Sequence, residues 1–525
     1  MSKNNIKIYD STLRDGAQTK GINFSLDDKK KILNTLDELR VDYVEGGWPG
    51  ANPTDDIFFK SLPKLKFSKV VAFGMMRKHK VKVKNDIGLK SILNSGVGYA
   101  CLVGKSWDFN VKNALKVGLE DNLEMIGDTI YYASKRLDEV MFDAEHFFDG
   151  FKSNPDYSLD SIKIAYESGA KWIILCDTNG GTLPYEVKEI VSKVKKIIPV
   201  EKIGVHFHND TDNATSNSIE SIRSGVCQVQ GTFNGLGERC GNANLVNIVS
   251  NLVLKMNFNC SLKKNLKKLT SVSRFIDETL NRQSARNLPF VGSAAFAHKG
   301  GLHISAVEKD PRCYEHINPS EVGNERTLVI SNQSGKSNIL NKLKKYKIST
   351  NNNEDEIVSF LNLTKKQEFL GYAYDGAEAS FELLARRKFQ KLKEFYSLAS
   401  FKVSDEKRLN ESGNFKPFSE ARVKIFVGKK EFYSASEGNG PIHALDNALR
   451  KALIKFYPKL KELNLIDYKV RILTPEDGTK ALVRVRIESS NKNQTWSTIG
   501  VSHNVIDASY IALHDSITYH LLKMK

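Results

Sequence analysis

The chain has 525 residues, 40% of them hydrophobic, so it is too long for one ordinary domain and apolar enough to bury two or three cores. No stretch approaches the ~18 consecutive apolar residues of a membrane span, and the N-terminal segment lacks the apolar region of a secretory signal. The net charge of +17 comes from lysines spread along the chain, as in KKKIL, KLKFSK and LKKNLKKL, at the spacing of solvated helix faces.

No basic cluster is interleaved with stacking aromatics, so the charge points away from a nucleic-acid binder and towards attraction of anionic substrates. Six cysteines (Cys101, Cys176, Cys227, Cys240, Cys260 and Cys313) include no C-x-x-C pair. They argue against a zinc ribbon or disulfide framework and for a reducing cytoplasm, with no membrane partner.

In chain order, the first ~235 residues alternate short β-branched runs with amphipathic stretches. The predicted strands are IKIY (6–9), VDYVEG (41–46), KVVAFG (69–74), VGYACLVG (97–104), EVMFDAE (139–145), WIILCD (172–177), IGVHFHND (203–210) and VCQVQGTF (226–233). Between them lie helical patterns such as SLDDKKKILNTLDEL, with Ser25 as N-cap, and LPYEVKEIVSKVKKII. Eight strand–helix units match a (β/α)8 TIM barrel. An open doubly wound sheet competes, but no G-x-G-x-x-G follows the first strand.

From about 245 to 400 the pattern is mostly helical, with an irregular glycine-containing stretch at 290–335 and a polar run, STNNNEDE, near 350. Beyond ~415, ARVKIFVG and EFYSAS lead into the helical PIHALDNALRKALIKFY; YKVRIL, ALVRVRIES and QTWSTIGVS then lead into NVIDASYIALHDSITYHLL. Phe432, Ala444, Ala448 and Leu449 recur as Trp496, Ala508, Ala512 and Leu513, each 64 residues later. This reads as an internal βββα duplication, whose two-fold pseudo-symmetry suits dimerisation and ligand binding between halves. The expected organisation is an α/β barrel at 1–275, a helical linker at 276–400 that contributes to the active site, and an α+β regulatory domain at 401–525.

The sharpest chemical feature is His206-x-His208. Residues two apart on a strand share a face, so both imidazoles point into the barrel at the C-terminal end, where such barrels assemble their sites. Strand 1 ends with Asp10, Arg14 and Asp15; strand 5 with Asp143, Glu145 and His146; strand 6 with Asp177 and Thr178. Just past strand 8 comes NGLGERCGN, with Glu238, Arg239 and Asn242. A carboxylate, two imidazoles and an amide oxygen can complete a mixed nitrogen–oxygen octahedron around Mg2+ or Mn2+. Taken singly, Asp15-Gly16 also reads as a turn, Asn242 as a helix cap, Glu145 as a loop acid and Arg14 as a salt-bridge partner of Asp15 or Asp10. Their gathering at one mouth favours the site.

With YDSTLRDGAQ, YVEGGWPGANPTD, FDAEHFFDG, LCDTNGG, HFHND, NGLGERCGNANL, AHKGGLHISAV and EGNGPIHALDNALRKAL in this order, the chain resembles the DRE-TIM metallolyase superfamily. Within it, it is similar to the 2-isopropylmalate, homocitrate and citramalate synthases, above all the long bacterial citramalate type. The resemblance implies a divalent ion (Mg2+ or Mn2+, with Zn2+ a further candidate) on Asp15, His206, His208 and Asn242. It implies catalytic roles for Arg14, Glu145, His303 and Tyr314, and substrate contacts from Arg14, Thr178 and His298.

A 2-oxo acid chelated to the metal is polarised there. Arg14 suits the oxyanion that develops, and a histidine, here His303, suits removal of a proton from the acetyl-CoA methyl group. The expected substrates are acetyl-CoA and pyruvate, giving (R)-citramalate for isoleucine synthesis; 2-oxoisovalerate, as in 2-isopropylmalate synthases, is the alternative. The C-terminal part resembles a dimeric allosteric domain, with Gly438, Gly440 and Pro441 in its G-N-G-P turn, which implies a homodimer and isoleucine as effector.

Other classes fit less well. A biotin-dependent carboxyltransferase shares L-R-D-G and H-x-H but brings a biotin-accepting lysine module, and none is apparent. A hydroxymethylglutaryl-type lyase needs a cysteine in its glycine-rich loop, and AHKGGLH carries none. An inactive amino-acid sensor predicts damage among the four metal residues, all of which stand intact.

Overall fold

Eight short runs of apolar, largely β-branched residues form parallel strands: β1 (Asn5–Asp10), β2 (Tyr43–Gly47), β3 (Lys69–Met75), β4 (Tyr99–Lys105), β5 (Glu139–Glu145), β6 (Trp172–Asp177), β7 (Ile203–Phe207) and β8 (Gln228–Gly231). The computed structural model describes residues 5–280, 282, 284–328, 336–349, 354–409, 415–492 and 494–524. Each strand pairs with the next, and β8 returns to β1 through Lys7–Gln228 and Asp10–Gly231. With Tyr9 opposite Tyr43 on β2, the ring is closed. All eight expected strands are present.

One strand ends early. β7 stops at Phe207, and His208 instead pairs with Asn242 in an isolated antiparallel bridge. The helix Leu26–Leu39 starts as expected: the Ser25 hydroxyl accepts from the Asp28 amide, and the Asp28 carboxylate accepts from the Ser25 amide. Its Ile32, Leu33, Leu36 and Leu39 are fully buried against the barrel's outer wall.

Alternation along each strand sorts the residues into two cores. Ile8, Val44, Ala72, Leu102, Phe142 and Val205 face the helices. Tyr9, Tyr43, Val71, Cys101, Met141 and Ile174 pack together inside the ring. One strand step higher, the inward positions become Glu45, Phe73, Asp143, Cys176, His206 and Gln230. That layer turns from apolar to polar at the C-terminal mouth, as the barrel architecture requires of a site.

The chain divides into two compact units, Met1–Phe296 with Ile317–Arg326, and Ala297–His316 with Thr327–Lys525. In the first, the segment Ile317–Arg326 is fastened where the Thr270 hydroxyl donates to the Val322 carbonyl, and the Asn324 amide to the carbonyls of Phe290 and Gly292. The second holds the helices Gly301–Lys309, Lys336–Lys345, Glu354–Phe369 and Glu378–Phe389. Residues 350–353 of the polar run STNNNEDE lie outside the described residues.

The duplication is visible as two βββα repeats in this second unit. Strands Ser397–Leu409, Phe415–Val427 and Lys430–Gly438 precede the helix Pro441–Leu453; strands Asn464–Ile472, Val483–Ser490 and Thr495–Ser502 precede Val505–Lys523. Ala444, Ala448 and Leu449 are buried at the same places as Ala508, Ala512 and Leu513. The strand Ser397–Leu409 was not expected. Its only strand signal is the alternation of Phe401 and Val403, which dissolves into the charged DEKR that follows.

Candidate metal centre

At the mouth of the barrel, Asp15, His206 and His208 are all buried and offer ligand atoms within 4.8 Å of one another. His206 Nε2 lies 3.3 Å from Asp15 Oδ2 and 3.4 Å from His208 Nε2, and His208 Nε2 lies 4.0 Å from the same oxygen. Burial alone would raise the Asp15 carboxyl, but Arg14, His206 and His208 pull it well below the usual carboxylate range. Burial and the His206 imidazole push His208 down to about 4, so its ring is neutral at physiological pH. Neutral imidazole and carboxylate are the states in which these side chains hold a metal.

Asn242 joins this group through the backbone. It sits opposite His208 in the bridge, and its amide nitrogen donates to the Leu236 carbonyl at 3.0 Å. Its Oδ1, like Asp15 Oδ1, is buried and meets no hydrogen-bond partner among the described residues. Buried oxygens without a partner are costly unless something else engages them, so the donor set fits a divalent cation. Asn242 does not cap the following helix: Asn244 does, accepting from the Val246 amide at 3.0 Å.

Arg14 is fixed by Glu45, a buried acid of β2 that is not among the expected site residues. Its Nε donates to Glu45 Oε2 at 2.6 Å, its guanidinium lies 3.9 Å from the centroid of Phe73, and Nη1 is 3.6 Å from Asp15 Oδ2. Glu45 is fully buried and also accepts from the Tyr9 hydroxyl at 2.7 Å. The signal was an acid two residues after Tyr43 on an otherwise apolar strand, which points it inward.

A cavity of about 330 Å3 opens above this layer, lined among others by Arg14, Asp15, Glu145, Thr178, His206 and His208. Glu145 forms an ion pair with Lys105. The Thr178 hydroxyl oxygen accepts from the His146 amide at 2.9 Å, which leaves its own proton to donate. Arg239 is held by Asp210 through two hydrogen bonds and donates to the Thr178 carbonyl at 2.7 Å. A second cavity, about 290 Å3, shares Trp48, Lys105 and Glu145 and adds Arg77, Lys78 and His79.

Two acids expected at the mouth serve the loops instead. Asp10 accepts from the amide and hydroxyl of Thr12, and burial pushes its carboxyl up to about 7. Asp177 accepts from the Thr182 amide.

The remaining expected residues belong to the second unit. His303 and Tyr314 stack with ring centroids 4.0 Å apart, and His298 lies 3.2 Å from Glu315. In the G-N-G-P turn, a Cβ on Gly438 would press on the backbone of Ala444, Gly440 is extended, and Pro441 opens its helix. A cavity of about 710 Å3 starts one residue later, at Ile442, and includes His443, Asp446, Arg450 and Tyr468; Gly438, Gly440 and Pro441 do not line it.

The HMGL-like family model matches residues 5–276, the homocitrate synthase post-HMGL domain-like model residues 290–367, and the LeuA allosteric (dimerisation) domain model residues 375–521. The chain is 49% identical over 520 residues to the (R)-citramalate synthase of Aquifex aeolicus, covering 99% of this chain and 98% of that one. It is 48% identical to the (R)-citramalate synthase of Geobacter sulfurreducens, with the same coverage. To that of Sulfolobus acidocaldarius it is 43% identical, over 99% of this chain and 98% of the relative. With its HMGL-like barrel, its LeuA domain and full-length identity of this order, the chain belongs to the (R)-citramalate synthase family.

Proposed function

We propose that the protein condenses acetyl-CoA with pyruvate and water to give (R)-citramalate and CoA. The observation that carries this reading is the buried Asp15–His206–His208 group beside Arg14, in a chain aligned end to end with (R)-citramalate synthases. Asp15, His206, His208 and Asn242 would hold a divalent ion, Mg2+ or Mn2+ by the mixed nitrogen–oxygen donor set. When bound, the ion supplies Lewis-acid polarisation of the 2-oxo acid's keto group.

The chain's own residues do the rest. Thr178 donates its hydroxyl proton to the pyruvate carboxylate, consistent with its oxygen already accepting from His146. His298 adds a further substrate contact. His303, with Tyr314 stacked on its ring, takes a proton from the acetyl methyl group. The resulting carbon attacks the keto carbon, and Arg14 stabilises the alkoxide that forms. Glu145, anchored by Lys105, orders the water that cleaves the thioester and releases CoA. Lys78 and His79 in the adjoining cavity suit the phosphates of acetyl-CoA.

The product feeds isoleucine synthesis in the cytoplasm, and isoleucine acts as effector on a homodimer formed through the LeuA domain. The cavity behind Pro441, with apolar Ile442 near the paired Asp446 and Arg450, suits a small apolar amino acid. No helix among the described residues is long and apolar enough to cross a membrane.

Steady-state release of CoA thiol with a panel of 2-oxo acids tests the reading, with and without chelator and isoleucine. Pyruvate is the expected preferred substrate; a preference for 2-oxoisovalerate would overturn the assignment. Light scattering in solution is expected to return the mass of a dimer.

A further inference from the structure

His206 is held from behind by a chain of buried groups that the reaction itself does not use. Its Nδ1 lies 3.0 Å from Gln230 Oε1, across the β7–β8 pairing in which the two residues face each other. The other end of that amide, Gln230 Nε2, donates to Asp143 Oδ1 at 3.3 Å, and the Cys101 thiol donates to the same oxygen at 3.1 Å. Gln230 and Cys101 are fully buried, and Asp143 and His206 nearly so.

The directions of these bonds follow from the chemistry at the far end. A carboxylate oxygen that already receives a thiol proton is an acceptor, so the amide must turn its NH2 towards Asp143. Gln230 Oε1 therefore faces His206, and only a ring with hydrogen on Nδ1 can meet it. In the neutral ring the lone pair is then on Nε2, the atom beside Asp15 and His208. His208 has no such support: its Nδ1 is buried and meets no partner among the described residues.

We propose that Gln230, oriented by Asp143, is a positioning residue that fixes the Nδ1–H tautomer of His206 and so presents Nε2 to the divalent ion. This rests on the metal-centre reading above. Groups that hold a ligating imidazole in this way contribute about 10–100-fold to metal affinity.

The test measures Mn2+ dissociation constants by electron paramagnetic resonance on the full chain. Gln230→Met keeps the volume and removes both hydrogen bonds, and is expected to weaken Mn2+ binding about 10–100-fold. Gln230→Glu keeps an acceptor at Nδ1 and is expected to bind more tightly than the Met variant. Equal affinity of Gln230→Met and the unchanged protein, or a Glu variant no better than Met, overturns the proposal.

A second measurement needs no variant and no metal. In the metal-free protein with 15N-labelled imidazoles, His206 is expected to carry a proton on Nδ1. A His206 ring whose only proton is on Nε2 overturns the proposal even if Mn2+ binds. Failure of the unchanged protein to bind Mn2+ sinks the metal-centre reading instead, and the tautomer still decides the role of Gln230.

Discussion

The Arg14 guanidinium and the Glu45 carboxylate meet at 2.6 Å beneath the floor of the cavity, and the second carboxylate oxygen of Glu45 is taken by Tyr9. The arginine thus has one edge committed to a buried acid and its face to Phe73, leaving Nη1 directed towards Asp15. A planar fork can satisfy all three contacts at once, whereas a lysine ammonium cannot. Arg14→Lys is expected to lower kcat about 100-fold or more with far less effect on the KM for pyruvate. Glu45→Gln should lower kcat about tenfold or more and also reduce the melting temperature, because it leaves a buried charge without its counter-charge. Steady-state kinetics and thermal denaturation read both outcomes.

Metal removal gives the second prediction. Chelation is expected to abolish turnover, and readdition of Mg2+ or Mn2+ to restore it. A ligand bound only by the folded state stabilises it by about 2.7 kcal/mol at a hundred times its dissociation constant. The unchanged protein should therefore melt at a higher temperature with Mn2+ present, and Asp15→Asn should lose most of that increment. An increment that survives in Asp15→Asn would place the ion elsewhere.

How much of this was legible beforehand depended on the kind of signal each residue leaves. β3 to β6 stood out because their apolar runs are long and bounded by polar turns. His206 and His208 stood out through their spacing together with their place at the C-terminal end of a strand. Glu45 left only a faint trace: a single acid in a strand reads equally well as an edge residue, and nothing local connects it to Arg14. Asn242 reads as a helix cap from its position alone, but the bridge to His208 holds it elsewhere and Asn244, two residues on, caps the helix. The strand Ser397–Leu409 escaped notice because half of it is polar. Its identity rests on pairing with Phe415–Val427, a long-range contact that local pattern does not encode.

The loop that presents Asn242 depends on glycine. Gly241 has φ +90°, and a Cβ there would run into the carbonyl oxygen of Gly235, which accepts from the Asn242 amide. Gly241→Ala is expected to cost about 1–3 kcal/mol in stability and to raise the Mn2+ dissociation constant, since the loop must shift before the new methyl group fits. Denaturant unfolding and Mn2+ titration measure the two effects. An unchanged affinity would show that Asn242 contributes little to the site.

Asp10 gives a pH prediction. Its carboxyl is raised from 3.8 to about 7 by burial. Between those values the unfolded chain ionises this group while the folded chain keeps it protonated, so stability from this residue falls as pH rises from about 4 through 7. The shift corresponds to at most about 4 kcal/mol. Asp10→Asn, which cannot ionise, should remove this component. Denaturant midpoints at pH 5 and pH 8 should differ less for the variant than for the unchanged protein, with the variant relatively favoured at pH 8.

The seam between β1 and β8 has a consequence for how the molecule matures. Asp15 follows the first strand, whereas His206, His208 and Asn242 arrive only with the last two, so the proposed ligands are strangers until the ring is sealed. An incompletely wound chain has only part of that set, and such distant partners are slow to meet. Uptake of an ion there would act as a latch on the finished ring, and its appearance in time would mark the moment the last gap shuts.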